Sequence, residues 1–323
     1  MKAAVLPAPN QPLTIEEVAL TKPGPREVLL RTAFAGLCHS DLHFIEGLYP
    51  HPTPCVLGHE SAGIVEAVGE GVTYVKPGDH VITCLSVFCG TCPQCVTGHP
   101  NLCENTDVKL PPGVSRRLSW KGGELMNQFL NLSSFGEQML VHENSMVKID
   151  PDIPLDRAAL VGCGVMTGVG AVFNAAKVEP GATVAVIGCG GVGLSAVNGA
   201  ALAGAERIIA IDTVASKLEI ARELGATDTL NASNADPIMA VRDMTGGDDS
   251  FIVLKHVHAA HHPGECFDIA MYRRVRGACR AVVRDHFPHD MSVRMLLKPL
   301  GLGPRIQRLA LPVITALARR VVP

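Results

Sequence analysis

Residues 182–193 read Ala-Thr-Val-Ala-Val-Ile-Gly-Cys-Gly-Gly-Val-Gly, and this stretch decides the fold of the second half of the chain. Its apolar, β-branched first half predicts a buried strand. The glycines fit the pattern G-x-G-x-x-G and lead into a helix predicted from Val192 to about Ala203. In this pattern the glycines make a tight turn, let the backbone approach a pyrophosphate and let the helix pack on the strand. The helix N-terminus then faces the phosphates. The predicted dinucleotide contacts are Gly188, Gly190, Gly191 and Gly193.

The residues that follow continue the same alternation. Arg207–Asp212 predicts the next strand, and a helix predicted from Ser216 to Leu224 stops at Gly225. Strands that alternate with helices in this order indicate a parallel α/β sheet. Asp212 stands at the end of the second strand, where a carboxylate accepts the adenosine ribose hydroxyls and repels a 2′-phosphate. The pattern therefore favours NAD, with a glycine-rich loop that binds no ligand as the alternative.

The first half of the chain has a different texture. Residues 1 to about 100 are rich in Gly, Pro and β-branched residues, and short apolar runs such as Glu27–Arg31 and Gly63–Val68 alternate with turn signals. Lys76-Pro77-Gly78-Asp79 predicts a turn that enters a strand at His80. This half is therefore expected to be an all-β domain built from short strands.

Four closely spaced cysteines stand in a loop of the first half. Cys89, Cys92, Cys95 and Cys103 form the pattern C-x2-C-x2-C-x7-C, and Gly and Pro residues surround them. Four thiolates at this spacing can close a tetrahedral Zn²⁺ site with no open position. An iron–sulfur cluster is the chemical competitor, because it also takes cysteine ligands.

Composition excludes several classes of protein. Of the 323 residues, 47% are apolar and 18% are charged, which does not suit a disordered or fibrous chain. The formal net charge of −3 offers no general attraction to nucleic acid. No stretch of about 20 uninterrupted apolar residues occurs, so no membrane span is predicted. With no signal-peptide pattern and 11 cysteines whose spacing suits metal binding, we expect a cytoplasmic protein.

Three further segments carry a resemblance to a known family. Gly58-His59-Glu60-Ser61-Ala62-Gly63 through Gly69 resembles the G-H-E-x2-G-x5-G signature of zinc-containing medium-chain alcohol dehydrogenases. The segments Cys38–Asp41 and Gly162–Gly168 are similar to those that carry the family's other catalytic zinc ligands. With the four-cysteine loop, four motifs occur in the family's order, over residues 1 to about 249.

The resemblance implies a role for each matching residue. Cys38, His59 and Cys163 would bind a catalytic zinc ion, with Asp41 orienting His59 and Glu60 behind the metal. Ser40 would take the alcohol proton and His43 would pass it on, although a surface histidine is the alternative for His43. Further cofactor contacts would be His39, Thr167, Val192 and Lys217. Lys217 could equally be a solvated helix charge. The substrate pocket would be walled by Leu85, Phe129 and Leu130, of which the last two could equally be ordinary core.

The function implied is hydride transfer from a primary alcohol to NAD, with two zinc ions per chain, one catalytic and one structural. The stretch from Cys103 to Phe129 resembles longer-loop members, some of which act on aromatic alcohols or on thiol adducts of formaldehyde. Two alternatives belong to other classes. One is a zinc-loop binding module for nucleic acid or protein, and the other is a chain that binds zinc and NAD but is catalytically impaired.

The last part of the chain departs from this pattern. Up to Asp249, 16 Lys and Arg stand against 27 Asp and Glu, a balance of −11, whereas the rest has 12 against 4, a balance of +8. Six of the 13 histidines and 10 of the 18 arginines lie in this tail. An out-of-frame reading of GC-rich codons would give such usage, and a genuine basic tail is the alternative.

These observations predict three segments and an α/β plus all-β fold class. Residues 1–164 would form a GroES-like zinc-binding catalytic domain, and residues 165–254 the first half of a Rossmann NAD-binding domain. Phe251–Leu254 would supply its fourth strand, and residues 255–323 would be an atypical tail, irregular or loosely packed helix. The remaining Rossmann strands do not appear in the sequence pattern. The homo-oligomeric contacts usual in the family are therefore in doubt here, and weak or absent activity is expected.

Overall fold

The computed structural model describes residues 1–114, 117–247, 252–256 and 269–272. Among these, the chain forms two compact units that meet in sequence between Cys163 and Gly164. The strands of the first unit are β1 Lys2–Leu6, β2 Thr14–Glu17, β3 Ala19–Leu20, β4 Glu27–Ala35, β5 Cys55–Val56, β6 Ser61–Val68, β7 His80–Thr83, β8 Leu118–Ser119, β9 Leu125–Gln128, β10 Gln138–His142 and β11 Met146–Lys148. Its helices are α1 His39–Ile45, α2 Pro93–Val96 and α3 Leu155–Leu160, with short 3₁₀ turns at Pro100–Leu102, Lys121–Gly123 and Glu143–Ser145.

The first unit is built from two sheets, as the sequence predicts. One has the strand order β2-β1-β5-β9-β8-β3 and the other β10-β4-β6-β7-β11. The central strand β4 pairs antiparallel with both β6 and β10. Its buried residues alternate with more exposed ones, because successive side chains of a strand point to opposite faces. This pattern places one row of β4 side chains in a core with Val65, Val81 and Met139.

The second unit holds the predicted parallel sheet. Its elements are α4 Met166–Gly170, β12 Thr183–Ile187, α5 Gly191–Leu202, β13 Arg207–Asp212, α6 Ala215–Glu223, β14 Asp228–Asn231, α7 Pro237–Met244, β15 Ile252–His256 and β16 Ile269–Tyr272. The strand order is β14-β13-β12-β15-β16. The first four strands run parallel, with β12 between β13 and β15. Helix α5 buries small residues such as Gly193, Ala196 and Ala200 against the sheet, so it lies close to β12.

The elements named from the sequence are largely confirmed. Strand β13 has the predicted bounds, and β12, α5 and α6 agree within one residue at each end. The fourth strand is also present, as Ile252–His256 in place of Phe251–Leu254. These segments were predictable because strongly apolar runs and glycine punctuation act locally.

The expectation for residues 255–323 is wrong where the structure describes them. Lys255 and His256 belong to β15, and Ile269–Tyr272 forms β16, which pairs antiparallel with β15. The edge of β15 would otherwise present unpaired N–H and C=O groups, and a short apolar segment that folds back satisfies them. This pairing was not predicted from the sequence, because a run of four residues has too few positions to show a period. The rest of the predicted tail lies outside the described residues.

One helical run is long and apolar. Leu155–Ala176 passes from α3 through a π-helical turn at Val161–Val165 into α4 and a second π-helical turn at Ala171–Ala176. By length and composition alone this run could cross a membrane, a test that core helices of soluble proteins also pass. Ala158 and Ala159 in its first part pack with Ala62 of β6.

Candidate functional site

Three predicted ligands from distant parts of the chain meet in the first unit. Cys38 caps the N-terminus of α1, His59 lies just before β6, and Cys163 lies in the π-helical turn Val161–Val165. Their ligand atoms all lie within 4.8 Å of one another. The two Sγ atoms are 3.8 Å apart, and Cys163 Sγ is 3.3 Å from His59 Nε2.

These distances suit one tetrahedral zinc ion. Zn–S bonds of about 2.3 Å at the tetrahedral angle place two sulfurs about 3.8 Å apart, and a sulfur and a nitrogen about 3.5 Å apart. A disulfide is excluded because its sulfurs would lie about 2.05 Å apart. Two thiols and one imidazole are the donor set of catalytic zinc sites that keep a fourth position open.

Asp41 organises this cluster. Its Oδ1 accepts hydrogen bonds from His59 Nδ1 at 3.2 Å and from the Gly58 N–H at 3.2 Å, and its Oδ2 accepts from the Cys38 N–H at 3.2 Å. Because a carboxylate only accepts, His59 carries its proton on Nδ1, and Nε2 faces Cys163. This hydrogen bond is the contact that Asp41 needs in order to orient His59 as predicted.

The three ligands of this cluster have pKa values shifted in different directions. The hydrogen bond from Cys163, helped by His59 and opposed by burial, lowers the pKa of Cys38 to about 3. The same hydrogen bond, together with burial, raises the pKa of Cys163 far above its usual range. Burial acts to lower the pKa of His59, but hydrogen bonds to Asp41 and Cys38 outweigh it and raise this pKa to about 10. Metal binding therefore has to release protons from this cluster.

The proposed proton path lies on α1. Ser40 is buried, and its Oγ is 3.2 Å from Cys38 Sγ. His43 follows one turn later and is only 4% exposed, so the surface alternative for this residue is wrong. Its ring lies 5.2 Å from that of His39 and 5.4 Å from that of Tyr49.

The four-cysteine loop forms a second cluster, also in the first unit. Its ligand atoms lie within 4.8 Å of one another, with Sγ–Sγ distances of 3.9 Å for Cys89–Cys95, 3.5 Å for Cys92–Cys95 and 3.9 Å for Cys92–Cys103. These values fit four sulfurs around a single tetrahedral ion. In a [4Fe–4S] cluster each cysteine binds a different iron, and in a [2Fe–2S] cluster the four cysteines divide between two irons, so some of the sulfurs would lie farther apart than they do here.

Backbone amides stabilise negative charge on this loop. The N–H groups of Thr91 and Cys92 both point to Cys89 Sγ, at 3.4 and 3.2 Å, and the Cys89 N–H points to Cys103 Sγ at 3.3 Å. Hydrogen bonds from the Thr91 side chain and from these amides lower the pKa of Cys89 to about 6. These bonds favour the thiolate form of Cys89, whereas burial raises the pKa of Cys95 to about 11.

The glycine motif of the second unit has the geometry of a nucleotide loop. Gly193 has no room for a side chain, because a Cβ there would lie 1.8 Å from the Gly188 carbonyl oxygen. At Gly190 and Gly191 a Cβ would meet nothing within 4 Å, so this surface is open to a ligand. The Cys189 N–H donates to Asp212 Oδ2 at 2.7 Å, which joins the loop to the end of β13.

Asp212 is held by several groups at once. Its Oδ1 accepts from the Val214 N–H at 2.9 Å, and Lys217 Nζ lies 3.7 Å from Oδ2. Lys217 is therefore an ion-pair partner of Asp212 rather than a freely solvated charge, and its role near a ribose stays a prediction. Helix α4, which carries Thr167, packs on α5 beside Val192.

Comparisons with known proteins agree with this geometry. The family described as "Alcohol dehydrogenase GroES-like domain" matches residues 24–151, and the family "Zinc-binding dehydrogenase" matches residues 191–271. The class-3 alcohol dehydrogenase of Pisum sativum is 46% identical over 275 residues, which are 82% of this chain and 72% of the relative. The chain belongs to the zinc-containing medium-chain alcohol dehydrogenase family. Its second family match continues past Asp249 to residue 271, so the resemblance extends further than the residues 1 to about 249 expected from the sequence.

Solved structures show the same relationship. An alcohol dehydrogenase zinc-binding domain protein from Burkholderia ambifaria is 40% identical, with a TM-score of 0.74 over 79% of this chain and 70% of its own. The benzyl alcohol dehydrogenase of Acinetobacter calcoaceticus is 38% identical, with a TM-score of 0.71 and the same coverage. These relatives establish the GroES-like and Rossmann fold classes and a zinc-dependent oxidoreductase family.

Other predicted residues of this dehydrogenase lie near the clusters but outside them. Glu60 is buried beside the open cluster, and its charge raises the pKa of Cys163, but its carboxylate is outside the group of mutually close ligand atoms. Its place behind the metal stays a prediction. Phe129 is fully buried in the core, with its ring 5.9 Å from that of His59. The pocket-wall roles of Leu85, Phe129 and Leu130 likewise stay predictions.

Several aromatic side chains around this site were not predicted from the sequence. Phe44 and His51 lie against Phe129, with ring centroids 4.7 and 5.2 Å away, and Tyr49 packs on His43. Phe44 and His43 are adjacent on α1, whereas Tyr49 and His51 follow in a loop with no period. No local pattern in the sequence marks those two loop residues.

Proposed function

We propose that this dehydrogenase oxidises a primary alcohol to the aldehyde, with NAD as hydride acceptor, at an open zinc site held by Cys38, His59 and Cys163. The observation that carries the proposal is the three-ligand cluster, whose spacing fits a tetrahedral ion with one free position. The four-cysteine cluster would hold a second, structural zinc ion that has no free position.

Residues of α1 would carry the alcohol proton away from the site. A bound zinc ion polarises the alcohol oxygen and lowers its pKa. Ser40 lies beside Cys38 and would accept the alcohol proton. His43, one helical turn away and buried, would receive this proton and pass it on. His39 would contact the cofactor pyrophosphate.

Asp212 would set the preference for NAD over NADP. Its carboxylate is already held by two backbone amides and Lys217, so it has little freedom to move away from a 2′-phosphate. Asp212→Asn removes the charge and keeps one of the two acceptor oxygens, so only one of the two backbone amides loses its partner. We expect it to reduce the NAD preference by roughly 10- to 100-fold in kcat/KM, from the removal of a like-charge contact. Tighter use of NADP than NAD by the unmutated chain would contradict the assignment.

Metal analysis together with a turnover assay tests the whole proposal. We expect two zinc ions per folded chain and NAD reduction with a panel that includes ethanol, hexanol and benzyl alcohol. A secondary alcohol of similar size serves as the control. A reproducible single zinc, with no other metal, would contradict the open site, and NAD reduction only with the secondary alcohol would contradict the substrate class.

A catalytically impaired dehydrogenase is the second candidate. It is favoured by β16, which runs antiparallel to β15 at the edge of an otherwise parallel sheet, and by the basic composition after Asp249. In this case the chain would bind two zinc ions and NAD but show no turnover with the same panel. Hydrogen exchange across residues 255–323 would accompany the assay, and strong protection with normal turnover would exclude this candidate.

We also infer a cytoplasmic location. The nine cysteines in the described part of the chain are all free thiols, and six of them lie in the two clusters that could hold a metal ion. Such use of cysteine suits a reducing compartment. Fractionation that recovers the chain only from an oxidising compartment would contradict this inference.

A further inference from the structure

Gly162, the residue before the ligand Cys163, lies against the backbone of Thr83. A Cβ at Gly162 would be 2.4 Å from the Thr83 carbonyl oxygen and 3.4 Å from Ile82 Cγ2. A carbon atom does not approach a backbone oxygen so closely, and a backbone oxygen cannot swing away as a flexible side chain can. Only glycine therefore fits at this position.

The Thr83 wall is itself firmly held. Thr83 ends β7 and pairs with Met146 of β11, and the next residue, Cys84, donates its N–H to the Ser145 carbonyl at 2.8 Å. Thr83 Oγ1 is 2.6 Å from Ser61 Oγ, and both side chains are fully buried. Ser61 begins β6 only two residues after His59, so the wall is connected directly to a second metal ligand.

Gly162 also lies in an unusual helical turn. Val161–Val165 is π-helical, a wider turn that is frequent at functional sites. The turn brings Cys163 Sγ to 3.8 Å from Cys38 Sγ and 3.3 Å from His59 Nε2, although Cys163 is more than 100 residues away from both in sequence. The contact between Gly162 and Thr83 is the point at which this turn rests on β7.

We propose that Gly162 is a positioning residue for the open metal site. Its contact with Thr83 fixes the distance of Cys163 from Cys38 and His59 before the metal binds. The inference rests on the proposed function in one respect, namely that these three residues hold a metal ion. It goes further in assigning the placement of Cys163 to backbone packing rather than to the metal.

The test compares Gly162→Ala with Gly170→Ala. Gly170 lies in the same helical run, and a Cβ there would meet only Asn174 Nδ2 at 3.8 Å. Alanine has a higher helix propensity than glycine. Any loss of stability in either variant therefore has to come from a collision of the added methyl group with a neighbour. The proteins are loaded with Co²⁺ at the open site and zinc in the cysteine loop, and the thiolate–Co²⁺ absorption and the release of Co²⁺ to a chelator are measured.

We expect Gly162→Ala to release Co²⁺ at least tenfold faster with an altered absorption spectrum, while it keeps the loop zinc. Gly170→Ala should match the unmutated chain in both measurements. A Gly162→Ala variant with an unchanged spectrum and release rate would overturn the proposal. An unmutated chain that binds metal only in the cysteine loop would instead overturn the proposed function, and this inference with it.

A second measurement needs no variant and decides the question if Gly162→Ala does not fold. The unmutated chain is treated with a chelator until only the loop zinc remains, and hydrogen exchange is followed at residues 161–165. Exchange that is unchanged by removal of the open-site metal supports placement by the Thr83 wall. Exchange in this turn that rises more than tenfold would show that the metal holds Cys163, and would overturn the proposal.

Discussion

The two cysteine clusters of the first unit achieve similar ligand spacings in opposite ways. The open cluster takes three residues that are up to 125 positions apart, brought together by a helix N-terminus, a strand entry and a π-helical turn. The closed cluster takes four cysteines from one short loop, in which the two helical turns have only four and three residues. His59 is 1% exposed, whereas Val96 in the middle of the loop is 69% exposed.

The two clusters differ in what holds their ligands in place. Packing of the surrounding sheets supports the open cluster, so its ligands would be in place before a metal ion binds. The loop has few buried contacts of its own, so metal binding has to supply much of its folding free energy, as in other small cysteine sites. We therefore expect the loss of a ligand at the open site to abolish catalysis, and the loss of a ligand in the loop to destabilise the fold.

The largest effect is expected from Cys163→Ala. Loss of one of three ligands should remove the open-site metal and lower kcat/KM by about a thousandfold or more, because polarisation by the metal is worth several kcal/mol. The loop zinc and the melting temperature should change little. Cys84→Ala, which removes a thiol outside both clusters, is the control. Metal analysis and steady-state assays decide the outcome, and near-normal turnover of Cys163→Ala would contradict the open site.

Cys92→Ala should show the opposite profile. We expect the loop zinc to be lost and the loop to be destabilised by several kcal/mol, because three thiolates remain without the ion that balances them. Hydrogen exchange should rise at residues 89–103 first, and kcat of the molecules that remain folded should fall far less than in Cys163→Ala. If Cys92→Ala instead lost turnover with an ordered loop, the distinction between the two clusters would be wrong.

Two glycines measure how tightly each cluster is packed. Gly58 and Gly98 have nearly the same left-handed backbone, with φ of +92° and +87°. A Cβ at Gly58 would be 2.5 Å from Phe135 and Ser134, whereas at Gly98 it would meet nothing within 4 Å. Gly98→Ala should cost about 1 kcal/mol from backbone strain alone, and Gly58→Ala about 3 kcal/mol, because overpacking is added. Urea denaturation of both variants tests this, and equal losses would contradict it.

The smallest expected effect concerns pH and the base of the loop. His142 is 6% exposed and accepts a hydrogen bond from the Asn144 N–H, while Asn144 Nδ2 donates to the Phe88 carbonyl beside the loop. Burial, helped by Arg26, lowers the pKa of His142 below its usual value. Its stabilising contribution is therefore complete above about pH 6.5 and is lost as the pH falls toward the folded-state pKa.

Thermal unfolding between pH 7.5 and 5 at saturating zinc measures this effect. His142→Asn keeps an acceptor for the Asn144 N–H but cannot be protonated, so it should flatten the loss of stability at low pH. Burial also lowers the pKa of His51, so part of the pH dependence should remain. A variant with the same pH dependence as the unmutated chain would exclude a contribution from His142.

Local patterns were sufficient for much of the fold and for one cluster. The strand from Thr183 to Ile187, the glycine loop and α5 follow one another directly along the chain, so sequence alone predicted this unit. The same holds for the cysteine loop, because its four ligands are close along the chain. The antiparallel pairing of β16 was not predictable, because strand direction depends on which edge remains open after the other strands have paired.

The sequence by itself determined which residue types are available: four clustered thiols, a glycine-rich turn followed by an acidic residue, and separate segments that resemble a known zinc site. Only the tertiary structure decided that Cys38, His59 and Cys163 meet, that His43 is buried, and that Phe129 lies in the core beside His59. The physical reason is distance along the chain. Contacts between residues far apart in sequence depend on sheet register and on close backbone approaches such as that of Gly162 to Thr83.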